Sequence, residues 1–240
     1  MNPQLQLSRI RDVLARLEET IIFALVERAQ FAANPRIYAP GAIPIPGFSG
    51  SFLDYLLHGT EKLHATVRRY TSPDEHPFSE DLPEPVLPPV DLGSPLADTG
   101  VNLNAAIKHR YIGDIVLRIC AEGDDEQYGS AAVCDVTVLQ ALSKRIHYGK
   151  FVAESKLQSE PDVFTPLIAA RDAAALENAI TRKDVEEKLL RRVERKTATY
   201  GRDIDENGQP RPGAAYKIPP ETVAGIYRDI IIPLTRDVEV

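Results

Sequence analysis

Residues 130–158, SAAVCDVTVLQALSKRIHYGKFVAESKLQ, form an uninterrupted helical pattern, a partly apolar rod carrying four cations, Lys144, Arg145, Lys150 and Lys156. Arg145 and Lys156 are 11 residues apart, about three turns at 3.6 residues per turn, so both point to one side of the rod within roughly 20°. On that side lie Gly149 and Val152 or Ala153, small enough to leave room between the charged heads. The axial separation is about 16 Å, and inward-leaning side chains would leave a gap suited to a small dicarboxylate. The rod is thus a candidate wall of an anion pocket. Solvated cations on an amphipathic helix would give the same spacing, so the neighbouring segments decide.

With 240 residues, 43% hydrophobic and 26% charged, the chain has an ordinary globular composition and can bury a sizeable core. A net charge of −7 and a pI near 5.3 disfavour nucleic acid or an anionic membrane as partner, since both attract basic surfaces. Any anion site is then a local positive pocket. Cys120 and Cys134 form no CxxC pair and lie in apolar helical patterns, which reads as reduced thiols packed in a core. The N-terminus lacks the basic-then-apolar order of a signal peptide and the Arg/Ser-rich look of a transit peptide. There is no N-x-S/T sequon, and no apolar run reaches membrane-spanning length. A cytoplasmic protein is expected.

From Ser8 to Ala33 apolar residues recur at Ile10, Val13, Leu14, Leu17, Ile21, Ile22 and Leu25, predicting an amphipathic helix capped by Ser8 and ended by Pro35. Arg11 lies beside this stripe on the face of Leu14 and Glu18, a usual place for a salt-bridge residue. Residues 34–50, with four prolines and three glycines, form a loop. It leads into a helix from Ser51 to Tyr70, ending in Arg68 and Arg69, where cations suit the negative end of the dipole. His58 and His64 face different directions, which speaks against a metal site. Residues 71–95 hold seven of the 19 prolines and read as an extended surface connection. A helix over 102–121 and an acidic turn precede the long rod, and Gly129 and Ser130 sit at its N-terminus, where free N–H groups can hold a carboxylate or be capped. After Pro161 come two short helices, FTPLIAAR and DAAALENAI, then the charged amphipathic helix KDVEEKLLRRVERKTATYG closed by Gly201. A turn-rich stretch, 202–212, leads to a last helix opening at Pro219 and Pro220 and kinked at Pro233. No segment alternates as a strand does, and no repeat is visible. The expectation is an all-α, single-domain bundle over 1–240 with long proline-rich loops. Nucleotide, zinc and serine-hydrolase motifs are absent.

Five stretches together resemble the eukaryotic, yeast-type chorismate mutases, the all-helical class of fungi and plants. They are IRDVLARLEETIIFALVERAQF (10–31), GSFLDYLLHGTEKLHATVRRYTSPDEHPF (50–78), ALSKRIHYGKFVAESKLQ (141–158), VEEKLLRRVERKTATYG (185–201) and IYRDIIIPLTRDVEV (226–240). They are in family order and span nearly the whole chain, and RIHxGKFVAExKxQ with a closing IPLTxxVEV is specific. The resemblance implies rearrangement of chorismate to prephenate, a pericyclic step of aromatic amino acid biosynthesis that needs no nucleophile, metal or cofactor. It places Arg11, Arg145, Lys156, Glu186, Thr235 and Glu239 at active-site positions, in a pocket of four helices from one subunit. The spacing agrees: Thr235 and Glu239, at i and i+4, share a helix face.

On this reading Arg11 and Arg145 grip the two carboxylates and hold the ether in its compact form. Lys156 donates to the ether oxygen, where negative charge grows as the C–O bond breaks. Glu186 binds the ring hydroxyl, and a protonated Glu239 flanks the ether oxygen. The last turn of a helix, beside the terminal carboxylate, is expected to raise the Glu239 pKa. One turn before the glutamate of VEEK the family has an asparagine. Here it is Arg182, which either reaches the pocket in a different way or turns to solvent, and which is counted among the substrate-contacting residues. Relatives continue beyond the position of Val240, so either the terminal turn frays or the sequence is cut short there.

The family is commonly homodimeric, inhibited by tyrosine and activated by tryptophan bound between the RRY end of one subunit and the GS turn of its partner. Arg68, Arg69, Gly129 and Ser130 match those effector positions. Val133 stands at a family threonine and offers no hydroxyl to a phenol, and Pro219 replaces the threonine before the last helix. The implied partners are chorismate, tyrosine or tryptophan effectors with an altered tyrosine response, and a second copy of the chain, with no nucleic acid and no membrane. Two other readings stay open: a catalytically silent helical binding or assembly protein, and a secreted mutase acting on a host chorismate pool. The full set of six pocket residues speaks against the first, and the missing leader and sequons against the second.

Overall fold

In the computed structural model, which describes residues 5–240 apart from 91–92, 97–98, 204, 208, 210 and 212, α1 (Leu7–Arg28) lies along α5 (Tyr128–His147), its most extensive partner. α2 (Phe52–Thr66) and α3 (Asn104–Arg110) also pack on α5, and α4 (Val116–Ile119) continues α3 through a π turn. α6 (Gly149–Ser159) prolongs α5, and α7 (Pro161–Ala170) pairs with α8 (Ala173–Ile180). α9 (Lys183–Tyr200) packs on α1 and on α10 (Pro220–Ile226), and α11 (Ile232–Glu239) returns onto α5, α6 and α8. Among the described residues there is no strand, only an isolated bridge between Ile45 and Phe48, and no helix is long and apolar enough to cross a membrane.

The stripe of α1 forms as its spacing predicts: Ile10, Leu17, Ile21, Ile22 and Leu25 are buried. Its cap does not. The helix starts from Gln6 without a side-chain cap, and Ser8 lies inside the first turn. A missing cap costs about 1 kcal/mol, against roughly 1.5–3 kcal/mol for each buried Leu or Ile, so the stripe decides. The helix ends at Arg28, well before Pro35, because Arg28 is drawn inward. Its Nε meets Asp135 at 2.6 Å, and its other nitrogens donate to the carbonyls of Phe31, Ala32 and Ala33 at 3.0–3.3 Å, so the guanidinium holds the chain that leaves the helix.

α2 starts with a capping box, Ser51 and Asp54 exchanging bonds with each other's backbone N–H, and stops at Thr66. Arg68 is left-handed at φ 66° and Arg69 opens a 3₁₀ turn, so both lie past the helix instead of in its last turn. Arg69 is held by Glu75, His64 and Gln140, and Arg68 reaches the Pro88 carbonyl. The described part of 71–95 beyond this turn is irregular, tied to α2 where buried Glu61 accepts from Phe78 N and Ser79 N. Residues 91–92 of that connection, and 204, 208, 210 and 212 of the stretch 202–212, lie outside the described residues.

Two further expectations are corrected. The rod 130–158 is two helices broken at Tyr148, where Phe151 N bonds back three residues to Tyr148 O. His147, made neutral by burial with its pKa pulled down to about 4, accepts from Leu103 N and ties the end of α5 sideways. Gly201 closes α9 with φ −83°, not in the left-handed region. Its lack of a side chain matters because a Cβ would lie 2.8 Å from the Thr197 carbonyl. The cysteines are free and half-buried: Cys120 packs against the hydrophobic core as expected, with its sulfur also 3.1 Å from the Arg28 guanidinium. Pro233 does act on the last helix. It has no N–H for the Asp229 carbonyl, which instead faces Arg110, and a π turn, Tyr227–Ile231, takes up the mismatch between α10 and α11.

The α1–α5 contact encloses a fully buried ion pair. Asp135 accepts from Arg28 Nε at 2.6 Å, from the Tyr111 hydroxyl at 2.5 Å and from the Tyr38 hydroxyl at 3.0 Å. Burial pushes the Asp135 carboxyl upward, and Arg28 and the two tyrosine hydroxyls oppose that rise. Removing one member strands a charge, so Asp135→Ala is expected to cost about 3–5 kcal/mol of unfolding free energy. Urea unfolding of the single variant beside Arg28→Met/Asp135→Leu checks this, the double variant losing less.

Candidate active site

Five helices and the α8–α9 joint enclose a cavity of about 330 Å³. Arg11 reaches it from α1, Arg145 from α5, Lys156 from α6, Glu186 from α9, and Thr235 and Glu239 from α11; Arg182, at the N-terminus of α9, lines it too. The six positions expected from the sequence therefore share one chamber, whose remaining wall includes Ile10, Leu14, Val152, Ile180, Leu189 and Ile232.

Arg145 is 3% exposed. One of its terminal nitrogens lies 3.4 Å from the Thr235 hydroxyl, and that hydroxyl donates to Ile231 O at 2.6 Å, leaving its lone pairs toward the guanidinium. The Arg145 Nε is buried with no hydrogen-bond partner among the described residues, a costly state for a charged donor. Lys156 donates to Ile180 O at 2.6 Å, which leaves two of the three ammonium protons. Burial lowers its pKa, Glu239 opposes that, and Arg182 and Arg11 add to it. Arg11 is exposed at the rim and makes no ion pair among the described residues. The neighbouring carboxylate of Glu18 is instead fully buried under Arg192, at 2.6 and 2.9 Å, and Lys196.

Burial pushes the Glu239 carboxyl up to about 7. Lys156, Arg145 and Arg236 oppose the rise, and Glu186 adds to it. Desolvation against the cavity wall is thus the main cause, not the helix end or the terminal carboxylate expected from the sequence. The last turn is also closed, with Val240 N bonded to Arg236 O at 3.0 Å and Val238 buried. Gly149 makes this burial possible. A Cβ there would meet Thr235 O at 3.0 Å and Glu239 Cγ at 3.2 Å. The space that Gly149 opens on the rod is therefore filled by α11, and Val152, not Ala153, faces the cavity.

Arg182 is 68% exposed at the mouth, 3.6 Å from Asp184. Sequence reasoning missed Arg236, whose guanidinium bridges Glu177 at 3.0 Å and Glu186 at 2.8 Å. Its place between Thr235 and Glu239 was the available signal.

A family model described as chorismate mutase type II matches residues 127–240. Chorismate mutase 1 of Petunia hybrida is 50% identical over 239 residues, covering 98% of this chain and 74% of that protein. The chorismate mutase of Schizosaccharomyces pombe is 46% identical over 244 residues, covering 100% and 96%. The chain belongs to the chorismate mutase family. Its activity is that of the family, the isomerisation of chorismate to prephenate. The structure of the Candida albicans chorismate mutase in complex with L-Trp superimposes with a TM-score of 0.92 at 42% identity, covering 98% of this chain and 89% of that one. AtCM1 with tyrosine bound in its allosteric site gives 0.88 at 46% identity, covering 99% and 95%.

The positions expected to bind effectors are not brought together within one chain. Arg69 bonds to Gln140 of α5, while Gly129 and Ser130 lie in the first turn of that helix, about 16 Å away along its axis. Gly129 and Ser130 are exposed, as is Val133 at 56%. Beside the cavity, Gly149 offers the sharpest test of how α11 is seated. Gly149→Ala should lower unfolding free energy by about 1–3 kcal/mol and kcat/KM for chorismate by about tenfold through displacement of α11. Gly59→Ala, whose Cβ would meet nothing within 4 Å, should do neither. Thermal unfolding and steady-state kinetics of both variants read this out.

Proposed function

We propose that chorismate is held and rearranged in the 330 Å³ cavity, with Arg11, Arg145, Lys156 and Glu239 as catalytic residues and Arg182, Glu186 and Thr235 contacting substrate. The observation that carries this reading is the convergence of cations from α1, α5 and α6 with an acid from α11 in one chamber. In the reaction one C–O bond breaks and one C–C bond forms within the same molecule, so no proton has to be transferred. What remains for the protein is geometry and charge.

Arg145, deeply buried and braced by Thr235, grips one carboxylate through its terminal guanidinium nitrogens, and Arg11 at the rim takes the other. Lys156, anchored by Ile180 O, turns a remaining proton to the ether oxygen as charge grows there. Glu239 in its protonated form donates from the opposite side. Glu186 receives the ring hydroxyl, and Arg182 at the mouth meets the incoming dianion.

Because the folded-state pKa of Glu239 is raised to about 7, the protonated form is present below that value and lost above it. Activity should therefore hold on the acid side and fall about tenfold per pH unit above pH 7. Glu239→Gln should remain active there, and Lys156→Ala should lose about 10²–10³ in kcat. A Glu239→Gln profile that falls as the wild type does would remove Glu239 from this role.

The chain is further proposed to fold as one domain and to act in the cytoplasm as a homodimer whose subunits together complete the effector site. Relatives solved with L-Trp and with tyrosine support an aromatic amino acid as ligand. Arg68 and Arg69 would meet Gly129, Ser130 and Val133 of the partner copy. Exposed Val133 gives a phenol no hydroxyl partner, so tyrosine inhibition should be weak, and Val133→Thr should tighten it by about tenfold. Initial rates at low chorismate, with tyrosine or tryptophan added, test this.

A further inference from the structure

Arg236 lines the cavity between Thr235 and Glu239, yet no role above uses it. Its guanidinium forks: one nitrogen donates to Glu177 Oε1 of α8 at 3.0 Å, the other to Glu186 Oε1 of α9 at 2.8 Å. Three helices are joined in one planar group, a geometry that a lysine cannot copy. Among the described residues no other hydrogen bond or ion pair reaches the Glu186 carboxylate. We propose that Arg236 is a positioning residue of the mutase site: it holds the Glu186 carboxylate ready for the ring hydroxyl and, by neutralising it, keeps Glu186 from acting unopposed on Glu239. This rests on the roles proposed above for Glu186 and Glu239.

The charges around Glu239 make the second half testable. It faces Arg145 from α5, Lys156 from α6, Glu186 from α9 and Arg236 from its own helix, while Glu177 of α8 is engaged by Arg236. The three cations favour the carboxylate and Glu186 favours the acid. Losing Arg236 removes a cation and leaves Glu186 uncompensated, and both changes favour the acid. The pH at which the site stops working should therefore rise, although the deleted residue is not proposed to touch the reacting atoms.

The experiment is steady-state kinetics on chorismate from about pH 5 to about pH 9, with Arg236→Gln, Arg236→Lys, Glu239→Gln and the double variant Arg236→Gln/Glu239→Gln. Arg236→Gln should raise KM about tenfold and move the alkaline limb of kcat/KM upward by about one pH unit. Arg236→Lys, which keeps the charge but not the fork, should return the limb close to its wild-type position while KM stays raised. The double variant should show no limb. If Glu239→Gln removes the limb but Arg236→Gln leaves it in place, Arg236 is only a structural tie. The inference then fails while the proposed role of Glu239 stands. If Glu239→Gln keeps the limb, the role of Glu239 falls and the inference falls with it.

Discussion

The Arg145 guanidinium is buried at 3% exposure, its Nε closed off from solvent and without a hydrogen-bond partner among the described residues. A charged donor without an acceptor is costly to bury, and the surrounding fold sustains that cost. Protein acceptors near it are few. Thr235 directs its hydroxyl proton to Ile231 O and offers Arg145 one long contact. Glu18 is engaged by Arg192 and Lys196. Had Glu18 faced Arg145 instead, an internal salt bridge would compete with any substrate carboxylate. A chain of net charge −7 thus presents local positive potential by pairing its nearby carboxylates elsewhere.

The position of Glu239 follows from backbone geometry more than from its own chemistry. Gly149 lets the Thr235 carbonyl come within reach of α6. The π turn at Tyr227–Ile231 absorbs the register change imposed by Pro233, and Arg236 ties the helix to α8 and α9. The result is a carboxyl whose burial outweighs the pull of three nearby cations. Two opposite requirements meet here: the cations proposed to hold a dianion also tend to ionise the acid beside them. The apolar wall resolves the conflict by making ionisation costly.

The sequence carried most of this and left out a definite part. Helical periodicity located every long helix, since a buried stripe such as that of α1 dominates its own boundaries. The eleven-residue spacing of Arg145 and Lys156 survives the break at Tyr148, because one tight turn hardly alters the facing of the two helices. What periodicity could not show was long-range close approach. Gly149 looks like free space until α11 fills it, and Arg28 looks like a helix-end cation until Asp135, 107 residues on, receives it. The cause of the Glu239 shift was misread for the same reason. Helix position is legible along the chain, whereas desolvation depends on which distant side chains close over the group.

A pericyclic step raises the standard that such an arrangement has to meet. With no covalent intermediate to stabilise, the protein acts only through the shape it imposes and the field it applies, so small displacements count fully. Each proposed catalytic group is accordingly braced from outside the chamber or set by its walls: Arg145 by Thr235, Lys156 by Ile180 O, Glu239 by the seating of α11 on Gly149. Arg11 is the exception, exposed on α1 with no ion pair among the described residues. A rim cation free to move can meet the ligand in solution and follow it inward, whereas the buried groups cannot. On the proposed roles, the same chamber combines a braced interior, where charge develops, with an exposed cation at its entrance.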